Sequence, residues 1–172
     1  MNYIRTILRV IDSINQRAGS SASWLCIALV LVGVYDVILR YAFNAPTVWA
    51  YETSCMLGGT IYAIGWAYDH LRKSHVRVDI LYTHLSPRGK AISDLIAAAI
   101  FFFPLMAILV KTSISWMLRA WSIGEVMIES YWYPPAAPFR AVFAVGICLF
   151  TLQGLAQFIR DLYFVIRNKA LD

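Results

Sequence analysis

Four apolar stretches dominate the chain, near residues 22–41, 48–68, 92–118 and 139–160, and each is as long as a helix that crosses a lipid bilayer. A helix rising 1.5 Å per residue needs about 20 mostly apolar residues to pass roughly 30 Å of hydrocarbon. Within that layer every backbone polar group must be satisfied inside its own segment, so four such runs point to a helical bundle. Composition agrees: 60% of the 172 residues are hydrophobic and 15% are charged, which is more apolar than a soluble domain of this size. The runs leave too little chain for a separate soluble domain, so the expectation is one all-α membrane domain over residues 1–172 with four transmembrane helices.

Lys and Arg outside the runs fall on alternate gaps, and such residues are retained on the cytoplasmic side. Arg5, Arg9 and Arg17 precede the first run; Arg72, Lys73, Arg77, Arg88 and Lys90 follow the second; Arg160, Arg167 and Lys169 end the chain. The opposite side carries Arg40, Arg119 and Arg140, and Lys111 falls inside the third run. Both termini are therefore expected in the cytoplasm. The net charge of +5 flanks apolar spans, so it reads as topology and contact with anionic lipids rather than as a nucleic-acid surface. The first run is as long as a span and lacks a small-residue cleavage site after it, which predicts a retained helix rather than a signal peptide. Cys26, Cys55 and Cys148 each lie within a run and read as small apolar packing residues, with no CxxC pair to suggest metal or redox chemistry.

Ahead of the first run, Ile4, Ile7, Leu8, Ile11 and Ile14 recur at helical spacing against Arg5, Arg9, Asp12 and Gln16. That pattern predicts an amphipathic helix over residues 3–16 lying at the interface, ended by Gly19, Ser20 and Ser21; the plainer alternative is an extension of the first span. The first hairpin turns at Phe43, Asn44, Ala45 and Pro46, with Thr47 placed to cap the second span. Ser86 followed by Pro87 forms a helix start, so the third helix begins well before the hydrocarbon, and Pro104 predicts a kink within it. The third connection is rich in Trp121, Tyr131, Trp132 and Tyr133, aromatics suited to the far interface, with Pro134, Pro135 and Pro138 forcing an irregular path. The halves carry no matched pair of broken spans of the kind an inverted-repeat transporter uses to build its own substrate site.

Ionisable residues inside a span are functional candidates because lipid penalises them. Asp36 and Arg40 are one helical turn apart with the acid first, and Glu52 begins the next span across a short hairpin. A network of the three explains them as structural pinning or partner contact, ahead of ion transport. Lys111 can carry its ammonium toward water on a long stem, or meet a polar group of a partner protein. His70, His75 and His84 are assigned to the second connection, where they cannot serve as axial haem ligands within the spans; His75, Arg77 and Asp79 read as a polar anchor at headgroup depth. Gly59, Ala63 and Ala67 recur at four-residue steps with Gly58 and Gly65 nearby, and Gly146 and Gly154 follow in the fourth span. Such small residues serve close helix contact, within the bundle or with a larger partner.

Three segments together resemble the small membrane subunit, DctQ-like, of the tripartite ATP-independent periplasmic (TRAP) transporters. They are the string from Arg40 through Asn44, Pro46 and Trp49 to Glu52; His75-Val76-Arg77-Val78-Asp79; and Glu129-Ser130 with Trp132-Tyr133-Pro134-Pro135, leading to Pro138-Phe139-Arg140 and Leu152-Gln153-Gly154. The resemblance covers nearly the whole chain. It implies a multi-pass subunit of the bacterial inner membrane, without catalysis or cofactor of its own, that braces a large DctM-like subunit holding the substrate and sodium sites. A periplasmic binding protein would deliver the substrate, typically an organic acid. Asp36, Arg40, Trp49, Glu52, His75, Arg77, Asp79 and Lys111 are then candidates for structural or partner contact, and Glu129, Trp132 and Tyr133 for docking the binding protein. Two other readings keep the four helices: a membrane anchor of a redox complex, which would need cofactor ligands, and a small homo-oligomeric exporter.

Overall fold

The computed structural model describes residues 2–72, 85–169 and 171. It is all-helical: α1 (Asn2–Ser23), α2 (Leu25–Ala42), α3 (Ala50–Leu71), α4 (Pro87–Ala97), a π-helical turn (Ala98–Phe102), α5 (Phe103–Ile123) and α6 (Ala137–Arg167). Among the described residues three helical stretches are long and apolar enough to cross a membrane: Tyr3–Ala42, Pro87–Ile123 and Ala137–Arg167. At 22 residues α3 is long enough, but Glu52, Thr53, Ser54, Thr60 and its glycines make it more polar than the other three. That polarity goes with position, because α3 packs against α1, α2 and α6, and its contact with α6 is the most extensive in the bundle.

The α3–α6 contact is made by small residues. A Cβ on Gly146 would lie 2.5 Å from the Ala63 carbonyl oxygen, and one on Gly59 would lie 2.6 Å from the Phe139 ring. Ala63, Ala67, Ala144 and Gly146 are buried. The four-residue steps of α3 thus serve packing inside the bundle, where backbones can approach only if side chains are absent or a single methyl. Gly58 and Gly65 face open space.

α1 departs from expectation. It runs unbroken through Gly19, Ser20 and Ser21, and the turn comes instead at Trp24, after which α2 begins. Gly19 is no helix stop: it is buried, and a Cβ there would lie 2.5 Å from Tyr68 on α3. Leu8, Asn15, Gly19 and Ala22 form an inward seam while Ile4, Ile7, Val10 and Ile14 are exposed on another face. One helix therefore has two apolar-bearing faces, and the bundle takes only one.

α4 begins as the Ser-Pro pair predicts. The Ser86 hydroxyl oxygen accepts the Gly89 N–H at 3.1 Å, with Pro87 in the first turn. Pro104 acts on the turn before it: Phe103 donates its N–H to Ala98, five residues back, and Ala98–Phe102 widens into a π-helical turn. A proline cannot donate and its ring crowds the carbonyl four residues earlier, and a wider turn relieves both demands. The π turn seats Phe102 directly over Gly154 of α6, edge-on to Phe150 (5.2 Å, 81°) and stacked on His70 (6.0 Å, 7°). His70 thus belongs to the last turn of α3 and not to the connection that follows. From Pro87 to Ile123 the continuous helical stretch is 37 residues, about 55 Å, and α6 is 31 residues.

Filling the α3–α6 contact should be far costlier than filling an open face. Gly146→Val is expected to lower the thermal midpoint in detergent by several degrees, equivalent to about 1–3 kcal/mol of overpacking, while Gly58→Ala leaves it unchanged. Equal midpoints for the two variants would refute this packing.

Candidate functional site

Among the described residues, polar side chains tie one segment to another at three places. The first is the α2–α3 hairpin. Asp36 accepts from Arg40 at 2.8 Å, from the Thr47 N–H at 3.2 Å and from the Thr47 hydroxyl. Asn44 adopts the left-handed conformation (φ 51°) that lets the Ala45 N–H reach the Leu39 carbonyl at 3.0 Å. Thr47 therefore ties the hairpin to Asp36 instead of capping α3, which starts after Trp49 without a side-chain cap. The Trp49 ring lies 5.8 Å from that of Tyr35.

Glu52 is not part of that network. It is 1% exposed and its Oε1 accepts the Ser130 N–H at 2.8 Å, across 78 residues of sequence. This bond defines the second place, the connection between α5 and α6. Gly124, left-handed at φ 61°, ends α5, and the Glu125 N–H returns to the Ala120 carbonyl at 3.0 Å. The chain then pairs with itself: Met127 donates to Pro134 at 2.9 Å and Ala136 to Glu125 at 2.8 Å. Arg140 of α6 grips Glu125 at 2.5 Å, with its guanidinium 5.7 Å from the Trp116 ring centre. Held by Glu52, by Arg140 and by its own backbone pairs, the connection is a fixed platform rather than a loose loop. It displays Ile128, Glu129, Tyr131, Trp132 and Tyr133 to the outside, and it borders a cleft of about 700 Å³ lined in part by Trp116, Phe139 and Phe143.

The third place was not foreseen from the sequence. Asp12 of α1 pairs with Arg160 of α6 at 2.6 Å and accepts from Gln153 at 3.0 Å; Asn15 donates to Gln153 at 2.6 Å. Asn15 and Gln153 are each 1% exposed. Beside this cluster, Leu8, Ala156 and Leu171 form an apolar knot with Ile11, Ile159 and Tyr163 around it. Asp12 and Asn15 share a face of α1, and Gln153 and Arg160 a face of α6. Those spacings were the only signal available, and they do not say which helix meets which.

Of the other sequence-derived candidates, Lys111 is exposed on α5. His75, Arg77 and Asp79 lie outside the described residues. The Glu129 carboxylate accepts the neighbouring Ile128 N–H at 3.2 Å and is exposed.

The arrangement fixes helices and presents surfaces. The side chains of Asp12, Glu52, Glu125, Arg140 and Arg160 hold one segment to another at the two ends of the bundle. Residues 29–163 match the family model described as DctQ, the DctQ component of tripartite ATP-independent periplasmic transporters. No curated protein matches the chain.

The hold of Glu52 on the platform is testable residue by residue. Glu52→Ala should speed amide exchange across residues 125–136 by about 10- to 100-fold, the loss of one hydrogen bond to a charged acceptor. Glu52→Gln, which keeps an acceptor oxygen, should change it much less. Equal exchange in both variants and the parent would remove Glu52 from this role.

Proposed function

Since the chain belongs to the DctQ component family, the small membrane subunit of TRAP transporters, we propose that it is the fixed brace of such a transporter and does not itself form the route of the substrate. The observation that carries the reading is where the polar groups point. Asp36, Arg40 and Thr47 close a hairpin, Asn15 and Gln153 join α1 to α6, and Glu52 and Arg140 hold the platform. Meanwhile none of the residues of α2 is buried, and Ile27, Val30, Leu31, Val34 and Ile38 form an exposed apolar stripe along it. A transport pathway would gather unpaired polar groups toward a shared cavity; a brace pairs them and offers apolar walls.

In this proposal α3 is the fourth span. It tolerates lower apolarity because neighbouring helices cover it. Both termini are cytoplasmic, α1 lies partly in the inner interface with Ile4, Ile7, Val10 and Ile14 toward lipid, and the α5–α6 platform faces the periplasm. The site is the inner membrane of a bacterium. A large DctM-like subunit holds the substrate and sodium and moves against this chain, and the sodium gradient drives uptake of an organic acid. A periplasmic binding protein delivers that acid and touches Glu129, Trp132 and Tyr133 on the platform. Exposed aromatics on a rigid support suit such a contact, because little entropy is lost when they are covered. Catalysis and cofactor binding have no part in the role.

Reconstitution tests the reading as a whole. Sodium-dependent uptake should require this chain, the large subunit and the binding protein together, and uptake without this chain would sink it. Arg40→Ala, which leaves Asp36 with Thr47 alone, should lower the yield of assembled complex; wild-type yield would exclude the Arg40 guanidinium from assembly. Replacing Glu129, Trp132 and Tyr133 together by Ala should cut binding-protein-dependent uptake at least tenfold at normal expression, and undiminished uptake would place the docking surface elsewhere.

A further inference from the structure

Lys111 sits 12 residues before the end of α5 at Ile123 and 24 after Pro87, about 18 Å and 36 Å along the axis. Trp116, Arg119 and Trp121 mark the outer interface on the same helix, which leaves Lys111 about 7.5 Å deeper than Trp116. Its side chain is on the outside of the bundle, on one stripe with Ile108 and Leu118, which are 64% and 59% exposed. Among the described residues Lys111 makes no hydrogen bond or ion pair, while Glu125, an acid at the outer end of the bundle, is taken by Arg140.

Snorkelling is opposed by helix geometry. Cα–Cβ bonds tilt toward the helix N-terminus and long side chains follow them. In α5 that direction leads toward Pro87, away from the nearer water. A lysine on the first turns of α6, whose N-terminus is at the outer end, would be tilted outward and spared this difficulty. On α5 the stem must double back to reach the interface, and an ammonium left in hydrocarbon without a counter-charge is costly.

We propose that Lys111 is the contact at which a membrane helix of the large subunit docks on α5 through an Asp or Glu carboxylate. The inference rests on the brace reading and deepens it by giving the partner surface a position and a charge. The carboxylate accepts from the ammonium, and the apolar residues of the stripe pack along the docking helix. Pairing removes the cost of each charge at once, so the contact is also a register mark: a helix displaced by one turn would leave both unpaired.

The test is co-expression with the large subunit, purification through a tag on that subunit, and measurement of how much of this chain is retained. Lys111→Arg should retain at least half of the wild-type amount, Lys111→Leu should lower it fivefold or more, and Lys111→Glu should lower it further. A Lys replacing the partner's acid should restore the Lys111→Glu chain. Lys111→Leu purified alone should be as stable as the parent, since a leucine suits lipid, which separates a lost contact from a lost fold. A photo-crosslinking residue at position 111 should give an adduct with the large subunit. Retention of Lys111→Leu at the wild-type level, or adducts with lipid only, would overturn the proposal while leaving the brace reading intact. Failure of the wild-type chain itself to be retained would overturn the brace reading, and this inference with it.

Discussion

The rest of the bundle hangs on the place where α3 and α6 touch backbone to backbone. Gly146 has no room for a side chain because the Ala63 carbonyl lies where its Cβ would be. In lipid, helices gain little from hiding apolar surface, since the surroundings are equally apolar, and close packing has to supply the attraction. Small residues at that contact bring the two longest-shared helices together, and this sets the distances at which everything else must meet. Phe139 can cover Gly59, and Tyr68 can press on Gly19 of α1, only because α3 is held at that depth. Phe102 on Gly154 repeats the device on the other side of α6, with the π turn before Pro104 supplying the reach.

With the centre fixed by packing, the polar residues fix the ends. The Asn15–Gln153 bond is almost fully screened from water, and leaving either amide alone there would cost the desolvation of a polar group without return. Asp12 and Arg160 extend the bond into an ion pair, so α1 has one rotation in which these four residues meet. That rotation is also the one that turns Leu8 into the apolar knot and Ile7, Val10 and Ile14 away from it. Specificity and solvation thus agree, which is the condition for a helix to hold one orientation. At the opposite end Glu52 and Arg140 do the same for the α5–α6 connection, a segment too irregular to fix itself by helical hydrogen bonds.

Much of this was legible along the chain where the cause is local. Apolar length gave the helices, Ser86 with Pro87 gave the start of α4, and Pro104 marked the disturbance before it. The Asp36–Arg40 pair follows from helical spacing alone. Errors arose where a residue's local habit was overruled from a distance. Gly19 has the composition of a helix stop, yet Tyr68 needs its missing side chain and the helix continues. Thr47 has the position of a cap, yet Asp36 of the previous helix takes its hydroxyl. Glu52 has the charge for Arg40, but burial against the platform gives it to the Ser130 N–H, 78 residues away. Gln153 and Asp12 lie 141 residues apart, and no periodicity within either helix names the other as its partner.

The same logic explains why the outer walls differ. On α3 and α6 the small and polar residues are turned inward and used up, so whatever surface they leave is unremarkable lipid-facing chain. α2 is attached on one side only and buries none of its residues, and α5 carries a single cation on an otherwise apolar stripe. Lys111 makes no hydrogen bond or ion pair among the described residues, and a lysine held in lipid costs insertion energy. In the proposed assembly a partner carboxylate offsets that cost. The bundle's own stability and the proposed role as a brace therefore draw on different residues: the first on Gly146, Ala63 and the end clamps, and the second on the faces those residues leave uncovered.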